Sequence, residues 1–372
     1  MGKAVAGTSP VPDAPIPAKT GFLTDCLRFE NQRRVNCYVR RLLAIVERAG
    51  DPSRELPKID RKVHRTGGYL EGACHSLMHV VGRNWARRHG VTLETMFHYV
   101  PRSNDPGCSA GFGMGMVIYL GTRIILEPRS IVPTCERLPT RFREYTCIHG
   151  TGHALMRGYH GLLAGAVDAC TQLGPRFAPD CAQGAFHDYW ISLAGGDGTT
   201  QRPNAETSPQ TVCGSTTFVR PCWYRFFWER MPEVRVYDPQ DITRLCAHLS
   251  GMQRGGCVAG ASLSMSRTRV AIEHAHTCGL LKEAADALNC IRGVVVPAVA
   301  GRLHEQLELI RTCGAFPKEA MWGCYSWFGR TLSVVTDGRF ERVGCRRLDP
   351  PHARYSCVAG ARRMGDALAT FS

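Results

Sequence analysis

Eighteen cysteines divide this chain into short, regular intervals, and they constrain the fold more than any other feature. Eight pairs are nine to twelve residues apart: Cys26/Cys37, Cys135/Cys147, Cys170/Cys181, Cys213/Cys222, Cys246/Cys257, Cys278/Cys290, Cys313/Cys324 and Cys345/Cys357. Cys74 and Cys108 remain, and are expected to join each other over a longer gap. From Cys135 onward the first cysteines of successive pairs lie 35, 43, 33, 32, 35 and 32 residues apart. A period near 34 is the span of one helix-turn-helix repeat. Structural zinc sites place paired cysteines about two to four residues apart. The longer gaps here suit a bridge between two antiparallel helices at one level. An even count in regular pairs predicts disulfides and an oxidising compartment. The expected fold is all-α: disulfide-stapled helical hairpins stacked into a curved or closed array.

Residues 1–20, rich in Pro and Ala, read as a disordered leader without an apolar signal segment. Residues 21–67 read as an N-terminal helical segment, ending on Gly50 before Asp51 and Pro52, followed by a polar, basic connector. Residues 68–372 form the helical-repeat domain, with its histidine-rich part at 69–192. A Gly/Thr/Pro-rich loop at 194–212 accounts for the one 43-residue interval. The cysteine pairing points to an extracytoplasmic or secreted protein, while the leader leaves a reduced, cytoplasmic state open. No run of about 18 apolar residues is present to form a transmembrane helix.

The net charge of +14 comes largely from scattered arginines. A basic surface attracts anionic partners. Nucleic acid is not the expected one, because neither a recognition-module signature nor an interleaved aromatic platform accompanies the charge.

The second cysteine of each pair sets a register. Three residues after it stand Gly111, Gly150, Gly184, Gly260, Gly293 and Gly360, with Arg225 and Trp327 as exceptions and Arg40 in the outlying first pair. Glycine costs about 1 kcal/mol inside a helix, so its recurrence predicts close approach of neighbouring helix backbones. Six residues after the second cysteine stand Met114, His153, His187, Trp228, Leu263, Val296, Arg330 and Arg363. These are expected to line one wall. The segment GCSAGFGMGM reads as helix packing rather than a phosphate loop, and the aromatic segment CWYRFFWERM as core, with a pocket wall as the alternative for Trp228.

Two segments, CHSLMHVVGR and CIHGTGHALM, carry histidines four apart, His75/His79 and His149/His153. Residues i and i+4 share a helix face, with Cβ atoms about 5–6 Å apart, so both imidazoles of a pair can reach one ion. His187 aligns with His153 in the next repeat. These five histidines are the expected metal ligands. Asp188, Glu71 and Glu144 are carboxylates near enough in sequence to orient or join them, and Asp188 and Tyr189 are the expected catalytic residues, with Tyr145 as another proton-transfer group. Imidazole-rich sites suit copper, iron, zinc or nickel. Open positions in an imidazole site favour copper or iron and oxidative chemistry on a small molecule or peptide. Zinc hydrolysis lacks a general-base carboxylate at fixed spacing. The rival readings are a His-lined organic or haem pocket, and a non-catalytic, disulfide-rigidified repeat that binds an anionic polymer or protein while its histidines only hydrogen-bond. His274 and His276 are expected at the surface.

Overall fold

The computed structural model describes residues 24–66, 68–101, 107–193, 207–229, 238–263, 271–294 and 302–366. The leader at 1–20 and residues 194–206 of the inserted loop lie outside the described residues. Among the described residues every regular element is helical. All nine expected disulfides are present, with Cα–Cα separations of 5.0 to 5.9 Å. No cysteine is free. The chain is an all-α, disulfide-stapled helical repeat. Its bridges are consistent with an oxidising, extracytoplasmic environment, and no described helix is long and apolar enough to cross a membrane.

What the bridges join differs in part from two full antiparallel helices. The second cysteines behave as expected. Cys37, Cys147, Cys257, Cys324 and Cys357 each stand at the seventh position of a second helix: Asn31–Ala49, Arg141–Gly158, Gly251–Ser262, Lys318–Val335 and Pro351–Ala361. Their partners do not lie in full helices. Cys26, Cys313 and Cys345 sit in short 3-10 turns, Cys135 in the five-residue helix Val132–Glu136, and Cys246 just past the end of Pro239–Leu245. The physical reason is the short gap. Nearly two turns of the second helix and a connecting loop use up most of it, so the first cysteine falls where the preceding element ends or tightens to 3-10 geometry. Among the short-gap bridges, Cys135–Cys147, Cys170–Cys181, Cys213–Cys222 and Cys278–Cys290 join residues that are both within α-helices, the first of them through the five-residue helix Val132–Glu136. The long-gap bridge Cys74–Cys108 links Gly68–His89 to the first residue of Cys108–Tyr119.

Each unit thus leads from a short first element into a second helix that packs on its neighbours. Val132–Glu136 precedes Arg141–Gly158, and Leu163–Thr171 precedes Ala178–Leu193. The Arg141–Gly158 helix starts where the Thr140 hydroxyl accepts from the Arg143 N–H, which satisfies one of the donors a helix start leaves open. The second helices stack in chain order: Gly68–His89, Cys108–Tyr119, Arg141–Gly158, Ala178–Leu193, Val219–Glu229, Gly251–Ser262, Ala284–Cys290 and Lys318–Val335. Lys318–Val335 then returns to touch Arg141–Gly158, so this part of the array is closed. Arg141 seals the seam by donating to the Met364 and Gly365 carbonyls, and Arg176 also donates to Gly365. One continuous apolar core runs through the molecule and contains every bridged cysteine.

Residues 51–67, read as a connector, are largely helical: Pro52–Thr66 buries Leu56, Ile59, Asp60 and Val63. Those four fall at helical spacing on one face, a stripe hidden by the basic residues between them. Asp60 fixes this helix to the repeat domain by accepting from the Ser109 N–H and hydroxyl.

The recurring glycines lie where helix backbones touch. A Cβ at Gly184 would overlap the carbonyl oxygen of His149, and one at Gly111 would overlap that of His75. Gly115 meets the carbonyl of His79 in the same way. The Gly-rich segment at 107–116 therefore packs Cys108–Tyr119 directly against the backbone that carries His75 and His79.

Gly184→Ala should cost about 1–3 kcal/mol, since overpacking forces the backbones apart. Gly113→Ala, whose Cβ would meet nothing within 4 Å, should be neutral or stabilising by up to about 1 kcal/mol. Chemical denaturation of both variants checks this; equal effects would refute the packing role of Gly184.

Candidate metal centre

The glycine contacts and the cysteine register bring all five expected histidines together. On Gly68–His89, Nε2 of His79 lies 3.2 Å from Nε2 of His75. Across the thin Gly-rich helix, the His79 ring centre is 5.3 Å from that of His153. On Arg141–Gly158 the rings of His149 and His153 are 5.2 Å apart. His187, on Ala178–Leu193, stands 4.9 Å from His153 and 5.5 Å from His149, ring centre to ring centre. Its Nδ1 is 3.3 Å from Nε2 of His149. One ligating atom from each of His149, His153 and His187 lies within 4.8 Å of the others. Two imidazole nitrogens bound to one ion at about 2.0–2.1 Å stand roughly 3 Å apart or slightly more. The His75/His79 and His149/His187 separations match that spacing.

Burial is nearly complete: His79, His149 and His153 are 6%, 2% and 3% exposed. It holds the imidazoles of His79, His149 and His187 well below the usual histidine range, with nearby cations adding to the effect. Among those cations Arg225 acts most on His149 and His187. These rings are therefore neutral near pH 7, which is the form that binds metal. Nδ1 of His149 and Nε2 of His153 are buried without a hydrogen-bond partner. A buried polar atom left open costs stability unless something fills it, and an ion coordinated at Nε2 of His153 would fill one of the two.

Two carboxylates orient the rings. Asp188 Oδ1 lies 3.3 Å from His153 Nδ1, leaving Nε2 to face the cluster. Glu229 Oε1 lies 3.1 Å from His187 Nε2, leaving Nδ1 to face His149. A carboxylate on the far nitrogen of a ligand fixes its tautomer and raises its basicity. No motif singles out Glu229 in the sequence, yet it stands seven residues after Cys222, as Asp188 does after Cys181. That shared register is the signal by which it could have been found. Glu144 instead accepts from Arg141 and Arg176 at the seam, and the side chain of Glu71 lies outside the described residues.

Tyr145 packs its ring 5.7 Å from His149 and donates to Gln183 Oε1 at 2.7 Å. Burial raises its phenol far above the usual tyrosine range, so it stays protonated. Tyr189 sits in the apolar core, edge-on to Trp190 at 5.0 Å. Trp228 stacks on His187 with ring centres 6.0 Å apart and walls the cluster.

Arg225, an exception to the glycine register, also belongs to the site. Its Nη2 is 3.5 Å from His149 Nε2 and donates to Gln183 Oε1 at 3.3 Å. Farther round the closed array, burial and the cations of Arg220 and Arg330 push Arg292 down to about 9. Arg292 donates to Asn289 and lies 5.8 Å from the ring centre of Trp327. His276 is exposed, as expected, but His274 is fully buried beside the Cys278–Cys290 bridge. It shares a helix face with Cys278, four residues on, and that face turns into the core. Both neighbouring thiols are consumed by the bridge, so this group offers no second metal site.

Asp188→Asn and Glu229→Gln should each weaken metal binding by about 10–100-fold, the usual cost of losing a ligand's orienting partner. Glu144→Gln, at the seam, should leave it unchanged. Chelator competition on copper(II)-loaded protein measures all three, and equal affinities throughout would deny Asp188 and Glu229 an orienting role. No family model matches the chain, and neither the curated proteins nor the solved structures yield a match.

Proposed function

We propose that the protein is a metalloenzyme whose five histidines, His75, His79, His149, His153 and His187, hold one or two copper or iron ions for oxidation of a small molecule or peptide. The observation that carries this reading is the convergence of three buried and two half-buried imidazoles, two of them with open nitrogens and two with carboxylates on their far sides. The set divides into His75/His79 and His149/His153/His187, joined by the His79–His153 contact. Such a division suits two ions as well as one. All-imidazole ligation without thiolate favours copper, iron, zinc or nickel over softer or harder choices. When bound, a redox-active ion would supply the electron-transfer chemistry that no side chain in this cluster supplies.

The chain's own residues do the rest. Asp188 holds the Nδ1 side of His153, and Glu229 holds the Nε2 side of His187. Both carboxylates are engaged in this way, which argues against either as the free general base of a hydrolytic zinc site. Trp228 and the Gly-packed helices keep bulk water from the rings. The nine bridges, each worth about 2–4 kcal/mol in stability, limit the movement that would spoil ligand geometry.

A second reading, a non-catalytic binding module for an anionic polymer or protein, draws support from the arginines along the inner helices. Arg220 and Arg330 are close enough for their charges to depress Arg292, and anions are the natural complement of such a group.

Metal analysis of the untagged protein, produced under oxidising and metal-replete conditions, separates the readings. The enzyme reading expects stoichiometric copper or iron that His75→Ala and His153→Ala both remove, with an electron paramagnetic resonance spectrum typical of imidazole ligation. Metal absent from the wild-type protein would sink it and favour the binding module.

A further inference from the structure

We propose that the outward face of the helix Pro52–Thr66 docks the protein on an anionic phospholipid surface. This inference stands apart from the metal-centre reading and uses none of its residues. Residues 31–66 hold ten Lys and Arg against four Asp and Glu, so this stretch carries six of the chain's +14 net charges. Within it Arg54, Lys58, Arg61 and Arg65 follow one another at steps of four, three and four residues. On a helix such positions fall along one line, about 16 Å long at 1.5 Å per residue. All four side chains are exposed, and the line lies opposite the buried stripe of Leu56, Ile59 and Val63.

The row keeps its charge available. Arg54 pairs with Asp51 at 3.2 Å and Lys58 with Glu55 at 2.9 Å, yet the two cationic side chains stay 86% and 62% exposed. Exposed pairs of this kind are worth little and are screened by salt, so they yield to a denser anionic surface. Arg65 Nε donates to the Arg61 carbonyl at 3.3 Å, a bond within the helix that neutralises no charge. Lys62 flanks the row, and burial together with the Arg65 cation pushes its ammonium down.

The neighbouring surface decides what covers the row. Tyr69, four residues beyond Arg65, is 40% exposed, and Leu27 is 48% exposed. Both meet Arg34, whose guanidinium carbon lies 5.0 Å from the Tyr69 ring centre and which donates to the Leu27 and Phe29 carbonyls. Cations beside an exposed aliphatic group and an amphipathic ring suit a bilayer boundary, where phosphates meet the cations and tyrosine sits at headgroup level. Nucleic acid fits less well. Tyr69 is stacked on Tyr38, with ring centres 5.9 Å apart, and is capped by Arg34, so its ring is not a platform for a base. An acidic protein partner would have to immobilise these long, solvated side chains at an entropic cost, whereas a fluid headgroup layer adapts to them. Each Lys or Arg near an anionic bilayer strengthens binding about fivefold, and four in line make a substantial anchor.

The test is co-sedimentation of the full-length protein with phosphatidylcholine vesicles, with and without phosphatidylglycerol, at low and at high salt. Binding that requires phosphatidylglycerol, falls at high salt and is weakened at least tenfold by Arg61→Glu/Arg65→Glu supports the proposal. Arg346→Glu/Arg347→Glu makes the same charge change at exposed positions outside the row, and should keep affinity within about twofold because distant exposed charges are screened. Equal losses in the two double variants would assign the binding to net charge and overturn the proposal. Absence of binding to phosphatidylglycerol vesicles overturns it too. So does binding of single-stranded DNA that Arg61→Glu/Arg65→Glu abolishes while vesicles stay unbound, a result that would favour nucleic acid. Should Arg61→Glu/Arg65→Glu fail to fold by circular dichroism, Arg61→Gln/Arg65→Gln takes its place, and wild-type vesicle affinity in it would overturn the proposal.

Discussion

The direct contact of helix backbones at glycine is the constraint on which the interior depends. Where Gly111, Gly115 and Gly184 meet the carbonyls of His75, His79 and His149, no side chain separates adjacent helices. Imidazoles on three different helices can then come within about one ring's width of each other. The disulfides add a second constraint by holding the end of each short first element level with the second turn of its partner helix. Staples alone would stabilise the fold; staples combined with glycine contacts set the positions of side chains facing inward.

That arrangement buries groups that ordinarily stay wet. Neutral histidines tolerate burial better than ions do, but their nitrogens still require partners. Asp188 hydrogen-bonds one nitrogen of His153, Glu229 lies 3.1 Å from one of His187, and Arg225 approaches a third ring. Nδ1 of His149 and Nε2 of His153 are left open. A purely structural histidine network would be expected to close its own hydrogen bonds. Two open nitrogens within a group of five histidines are the physical reason to read the cluster as a ligand set.

Much of this was legible in the sequence because it is written at short range. Bridges spanning nine to twelve residues follow from local hairpin geometry, and the His75/His79 and His149/His153 pairs follow from the helical period. The register extended this to His187. Spacing alone did not reveal that Cys37, Cys147, Cys257, Cys324 and Cys357 would meet turns and helix ends rather than full helices, because it fixes a distance along the chain and not the conformation of both ends. The rest depends on approach in three dimensions. The contact between His79 and His153 follows from the thinness of the Gly-rich helix between them, which sequence treats only as packing. Arg225 looked like a failure of the glycine rule, and no motif marked Glu229. Conversely, Glu144 looked like a ligand neighbour but is held by Arg141 and Arg176 at a seam that only closure of the array creates. The helix Pro52–Thr66 was hidden by its charge, and buried His274 by its lack of a recognisable motif.

The central claim is that these five imidazoles share a metal. X-ray diffraction data from crystals of the protein, collected on both sides of the copper and iron absorption edges, test it most directly. The account predicts an anomalous peak at one edge, surrounded by nitrogens of His149, His153 and His187, with a second peak beside His75 and His79 if two ions are held. Anomalous signal confined to other parts of the molecule, with the five rings hydrogen-bonded only to one another, would contradict it.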